Sequence, residues 1–277
     1  MKNAPGPSVR GLAARRRSPD GLRAFLDKKV AEYNRPAFIA DDPISVPHSF
    51  REKRDIEIAG FFSAIFAWGS RTTIIQKSRQ LLRLMDDAPH QFVLQHTDSD
   101  LRRLIDFKHR TFNATDLLYF MEFFRHHYSR FESLEDAFLL PWQGRPAPGQ
   151  WNAEQALTAF YSYFFSLEEA PHRTRKHIAT PAKRSGCKRI NLFLRWMVRR
   201  DDKGVDFGIW RRIPPSGLVC PIDLHVGRVA KRFGLLDRAA SDWTAALRLT
   251  GQLLNFDRED PVKYDFALFG LGVMEKF

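Results

Sequence analysis

Residues 218–236 read Leu218-Val219-Cys220-Pro221-Ile222-Asp223-Leu224-His225-Val226-Gly227-Arg228-Val229-Ala230-Lys231-Arg232-Phe233-Gly234-Leu235-Leu236, a helix with signals at both ends. Pro221 stiffens the entry and Asp223 stands where an N-cap is needed. Val226, Val229, Ala230 and Phe233 supply an apolar stripe at helical spacing, and Gly234 is the stop. As a cap alone, Asp223 is worth about 1 kcal/mol. Capping and chemistry are compatible here, because backbone N–H groups bonded to a carboxylate keep it ionised.

The same helical grammar extends outward over most of the chain. Asp20 is placed to cap a helix over Gly21–Tyr33, which ends at Asn34-Arg35-Pro36. The run Asp55 to Trp68, DIEIAGFFSAIFAW, is apolar on nearly every face and predicts a central buried helix. Gly69-Ser70-Arg71-Thr72-Thr73 breaks it, with Thr72 or Thr73 as cap for a helix over Ile74–Met85. Asn113 or Thr115 starts a helix through Arg130, and Asn152 one through Phe165, while Pro141–Gly149 reads as a surface loop. No period-2 strand run or internal repeat occurs. The class predicted is all-α.

A second informative stretch is Arg184-Ser185-Gly186-Cys187-Lys188-Arg189-Ile190-Asn191-Leu192-Phe193-Leu194. A tight turn at Gly186 leads into a helix with Lys188 in its first turn, where a cation opposes the positive end of the helix dipole. Lys183, Arg184 and Arg189 surround it in sequence, and clustered positive charge with partial burial would favour a neutral, nucleophilic amine. An ordinary solvated lysine is the plain alternative.

Composition narrows the function classes. The 277 residues are 44% hydrophobic and 27% charged, which excludes disordered and membrane compositions. Two cysteines, Cys187 and Cys220, imply a reducing, cytoplasmic setting without a disulfide framework, and are too few for a four-cysteine iron–sulfur cluster. The histidines show no metal-ligand spacing, and no cofactor motif stands out. Residues 1–19 read as a basic flexible tail without the apolar region of a secretory signal, and 20–277 as one domain. Between Pro171 and Arg212 there are 13 Lys or Arg against three Asp, which accounts for ten of the net twelve positive charges. A solvated charged face or a polyanion-binding surface both satisfy that count.

Cys220-Pro221-Ile222-Asp223-Leu224-His225-Val226, followed by Arg228-Val229 and Arg232-Phe233-Gly234-Leu235, resembles the catalytic-aspartate segment of helix-hairpin-helix DNA glycosylases, the superfamily of endonuclease III, adenine glycosylase and the 8-oxoguanine glycosylases. Gly186-x-Lys188-x-x-Asn191 resembles the end of their hairpin motif, where the bifunctional members carry a lysine nucleophile. The break Gly69-Ser70-Arg71-Thr72 occupies the place that supplies a side chain wedged into the DNA stack. Asp260-Pro261-Val262-Lys263-Tyr264-Asp265-Phe266-Ala267-Leu268-Phe269-Gly270 is similar to a divergent bacterial branch of the same superfamily. Two departures stand out. Arg184 replaces the first hairpin glycine, and the 35 positions from Lys188 to Asp223 exceed the endonuclease III spacing and approach that of archaeal 8-oxoguanine glycosylases.

The resemblance implies a two-lobed fold with a cleft, the lobes being approximately 55–165 and 20–54 plus 166–277. It implies a nucleoid-associated monomer acting on double-stranded DNA without metal or cofactor, with Lys188 and Asp223 catalytic. Gly186, Arg184, Arg189, Lys183, Ser70 and Arg71 are the expected DNA contacts. Arg199–Pro215 is the expected insertion on the DNA-facing side. For the base pocket, Trp68, His109, Phe112 and His225 are the candidates, each with packing as its plain alternative. The competing functional reading is a non-catalytic DNA- or RNA-binding protein on the same scaffold.

Overall fold

A computed structural model describes residues 18–147 and 149–277. The tail predicted over 1–19 therefore lies outside them except for its last two residues. Among the described residues eleven α-helices follow in order: α1 Pro19–Tyr33, α2 Lys53–Ile65, α3 Arg71–Leu84, α4 Pro89–Gln95, α5 Asp98–Arg102, α6 Ala114–Tyr128, α7 Ala153–Phe164, α8 Lys188–Val198, α9 Leu224–Arg232, α10 Trp243–Leu254 and α11 Tyr264–Phe269. Short 3-10 turns connect them, and no β-strand longer than an isolated bridge occurs among the described residues. The all-α class holds.

The local signals explain most of the helix starts. Asn152 and Asp242 accept from the third following backbone N–H and begin α7 and α10. Three starts differ from the expectation. The central helix α2 runs from Lys53 to Ile65 rather than from Asp55 to Trp68. Ser18 rather than Asp20 caps α1, accepting from Gly21 N at 3.2 Å. α3 begins at Arg71 rather than after Thr72 or Thr73, because Gly69 makes the turn at φ +104° and Ser70 is already the extended cap residue.

α2 is the axle of the fold. Every residue from Ile56 to Ile65 is buried, so burial decides this helix more than propensity does. α8 runs antiparallel along it, with Gly60 facing Phe193 and Met197, while the Arg189 guanidinium at the start of α8 donates to Ile65 O at the end of α2 at 2.8 Å. The other end is fastened by Glu57, which is fully buried and accepts from Ser133 Oγ, Leu134 N (3.0 Å), Trp210 Nε1 (2.7 Å) and Tyr128 OH (2.9 Å). Four donors satisfy a carboxyl that burial otherwise pushes toward its neutral form.

The same contacts place Arg199–Pro215. The segment leaves the C-terminal end of α8 and buries Trp210 on Glu57, while Arg212 pairs with Glu135 at 3.1 Å. It therefore sits at the far end of α8 from Lys188, some ten residues or about 15 Å away along the axis. One hydrophobic cluster runs through both sequence regions expected to form separate lobes. No helix of the described residues is long and apolar enough to cross a membrane.

Candidate active site

α8 and α9 each present one functional side chain at their starts. Residues 184–187 make the turn before α8, with Arg184 and Cys187 both left-handed at φ +58° and +49°. A non-glycine residue in that region costs about 1–2 kcal/mol, so Arg184 keeps the backbone shape that a glycine would supply freely. Ser185 bridges to Asp242, and Trp243 N donates to Arg184 O at 3.2 Å, docking the turn on the entry to α10. Gly186 lies against that strand of chain so closely that a Cβ would sit 2.1 Å from Ser241 O. Gly186→Ala is therefore expected to destabilise the protein by about 1–3 kcal/mol or more and to shift Lys188. A thermal melt checks the first effect; a melt equal to that of the unaltered chain would refute this packing.

Asp223 caps α9 as its sequence predicts. Its Oδ1 accepts from His225 N and Val226 N, both at 2.9 Å, which leaves Oδ2 for Lys188 Nζ at 3.0 Å. The side chains are 35% and 20% exposed, so the pair is reachable from solvent. Burial works to raise the Asp223 pKa, but the Lys188 charge and the Val226 N–H outweigh it and hold the carboxyl below its ordinary range.

The pair stands in the wall of a cavity of about 440 Å³. Trp68, Arg71, Phe38 and Phe269 line it from other elements, and His225 lies at its edge beside Asp223. Its deeper polar wall is Asp42, Arg195 and Asp265, which are 8%, 3% and 4% exposed. Arg195 donates from Nη1 to Asp265 Oδ2 and from Nε to Asp206 Oδ1 at 3.3 Å, and Arg199 beside it pairs with Asp206, Asp201 and Asp260. Carboxylates outnumber guanidinium groups in this cluster. Burial accordingly pushes Asp265 up to about 6, against the pull of Arg195, and raises Asp42 as well.

The predicted site residues divide under this geometry. Lys188, Asp223, Trp68, Arg71 and His225 come together around one cavity. His109 and Phe112 do not reach it. Phe112 is fully buried against Phe66, Phe120 and His177, and His109 lies under Trp68 with Nε2 at 3.2 Å from Phe66 O. Both belong to the core that supports the Trp68 wall. Arg71 does not project: its guanidinium lies 4.8 Å from the Phe269 ring centre and its Nη2 is buried without a partner. Ser70 and Arg184 are exposed.

Part of the basic cluster is taken up inside the fold. Arg189 spends its guanidinium on the Ile65 and Lys176 carbonyls, so it is a staple between α8 and α2 rather than a free phosphate ligand. Arg173 pairs with buried Asp116 at 2.6 Å, Arg212 with Glu135 and Asp136, and Arg195 and Arg199 are interior. Lys183 donates to Tyr161 OH at 3.0 Å. Lys188 is thus met by a carboxylate, not by the crowd of cations its sequence neighbours suggested. Among the described residues no group of three or more His, Cys, Asp or Glu is placed to hold a metal ion.

Sequence reasoning missed Asp42, Arg195 and Asp265. A usable signal was present for Arg195, which lies seven residues after Lys188 on the same helical face with Leu192 between them. A charge flanked by Leu194, Trp196 and Met197 needs a buried partner.

No curated protein and no solved structure matches the chain. A family model does match, over residues 42–274, a span that includes every residue of the cavity wall except Phe38. On that match the chain belongs to the DUF2400 family, described as proteins of unknown function.

Proposed function

We propose that this protein is a DNA base-excision glycosylase with AP-lyase capability, built as a two-lobed helix-hairpin-helix scaffold whose cavity receives a nucleotide extruded from double-stranded DNA. One observation carries the reading: Lys188 Nζ and Asp223 Oδ2, 35 residues apart in sequence, face each other at 3.0 Å in the wall of one cavity. The cavity volume falls within the roughly 300–1,000 Å³ typical of small-molecule sites. Its aromatic members Trp68, Phe38 and Phe269 suit the faces of a base. Its buried donors without protein partners, Trp68 Nε1 and Arg71 Nη2, suit an acceptor on the base or phosphate.

In this reading Asp223 relays a proton from the Lys188 ammonium to solvent as the sugar arrives, and is ionised again before the attack. The freed amine attacks C1′, the bond from C1′ to the base nitrogen breaks, and the electron pair leaves with the base, which is protonated from solvent. In the resulting C1′ adduct the nitrogen loses a proton, the C1′–O4′ bond breaks, and O4′ leaves as a protonated hydroxyl while nitrogen and C1′ form the imine; loss of a C2′ proton and departure of the 3′-phosphate then cleave the strand by β-elimination. The α9 backbone N–H groups hold Asp223 ionised against the developing positive charge on the sugar.

Borohydride reduction of the protein on an abasic-site duplex tests this directly. A covalent protein–DNA adduct, with base release from a panel of duplexes carrying damaged bases, is the expected outcome. Tight duplex binding with neither adduct nor base release would instead assign the scaffold a DNA- or RNA-binding role.

A further inference from the structure

Four large apolar side chains are exposed among the described residues: Ile105, Leu224, Leu247 and Met274. Leu224 is the most exposed, at 70%, and stands between Asp223 and His225, both of the cavity wall. Met274 follows Val273, another wall residue. Half of the exposed apolar surface of this kind is therefore gathered at the mouth of one cavity. An isolated exposed leucine needs no explanation, but one fixed beside a reactive pair and rimmed by charge does.

The charge around Leu224 has one sign. Arg228 and Lys231 follow it at four and seven residues, on the same face of α9, and both are exposed. Among the described residues neither makes an ion pair with a carboxylate; Arg228 donates only to His225 Nδ1, at 2.9 Å. α9 itself contains no acidic residue, and the Asp223 carboxylate at its start is already bonded to two backbone N–H groups and Lys188. An apolar tip with two cations unpaired by carboxylates behind it along a helix complements a base stack with phosphates at its edge. The side chains expected to enter the stack are poorly placed for it: Arg71 lies on Phe269, and Ser70 is too small to fill the space of a base.

We infer that Leu224 is the side chain that enters the base stack where a nucleotide has been extruded, with Arg228 and Lys231 on the flanking phosphates. This rests on duplex DNA being the substrate. The apolar leucine takes the contacts that the departed base made with its neighbours, which lowers the cost of holding the duplex open.

The test uses a duplex with a central tetrahydrofuran abasic analogue next to 2-aminopurine, whose fluorescence rises when it unstacks. The full chain is expected to bind and raise the signal. Leu224→Ala is expected to weaken binding of this duplex roughly tenfold, the affinity value of a buried leucine beyond alanine, and to abolish most of the rise, while Leu224→Met restores both. The double variant Arg228→Gln, Lys231→Gln is expected to reduce the slope of log affinity against log salt by about two. Leu224→Ala protein that binds and unstacks like the unaltered chain overturns the inference, as does loss of the signal in Met274→Ala alone. If the unaltered chain forms the borohydride adduct yet shows no dependence on Leu224, only the wedge assignment fails. If it binds no duplex at all, the glycosylase reading fails with it.

Discussion

Asp223→Asn is expected to lower base release by roughly 10²–10⁴-fold while leaving the melting temperature nearly unchanged. The two parts of this result come from the two oxygens of one carboxylate. Oδ1 caps α9 through His225 N and Val226 N, and asparagine is as good a cap as aspartate. Oδ2 faces Lys188, and an amide there neither takes a proton from the amine nor opposes positive charge on the sugar. Lys188→Gln complements it, with the borohydride adduct expected to vanish entirely because no primary amine remains to form the imine. Asp223→Ala, in contrast, loses the cap as well and is expected to cost a further ~1 kcal/mol of stability. Base release by Asp223→Asn protein at the unaltered rate would reduce Asp223 to a capping residue.

The second large effect belongs to the cavity floor. Arg195→Met is expected to destabilise the fold by about 3–5 kcal/mol at neutral pH, the usual cost of removing one partner from a buried charge cluster. Asp42, Asp206 and Asp265 would then face one another, with Arg199 still paired to Asp206 and only Arg71 and Lys188 left to act on Asp42 and Asp265. The loss is expected to shrink as the pH is lowered, since protonation relieves the repulsion. The unaltered protein carries the same signature in milder form. Asp265 has an ordinary value of 3.8 and is raised to about 6 by burial, in spite of Arg195. A carboxyl raised on folding contributes stability that is full below its unfolded value and is lost as pH rises through its folded value. Stability from this group therefore declines between about pH 4 and pH 6, and Asp265→Asn is expected to flatten that part of the profile. Urea denaturation midpoints at intervals across pH 4–7 measure it; a rise through the window that depends on Asp265 would contradict the assignment.

Arginine is the residue type for which linear reading fared worst. The stretch 171–212 looked like one basic surface, but Arg195 and Arg199 are interior ion-pair partners, Arg189 is a staple to α2, and Arg173 and Arg212 answer buried carboxylates. The free cations of α9 were legible only as part of a motif. Histidine and phenylalanine went the same way on a smaller scale: the polar cluster before α6 suggested His109 and Phe112 for the base pocket, and packing placed His109 beneath Trp68 and Phe112 against Phe66, Phe120 and His177.

What the sequence determined by itself is everything governed by contacts three or four residues apart. That includes the helical class, the burial of α2, the caps of α7 and α9, and Lys188 and Asp223 at the starts of their helices. These follow from periodicity and local hydrogen bonding, which a linear string records. Only the tertiary structure decided that Lys188 meets Asp223 across 35 residues, that Arg195 meets Asp265 across 70, and which cations remain for solvent. The reason is physical. An ion pair is set by distance through space and by how much water its partners lose, and neither quantity is a function of position along the chain.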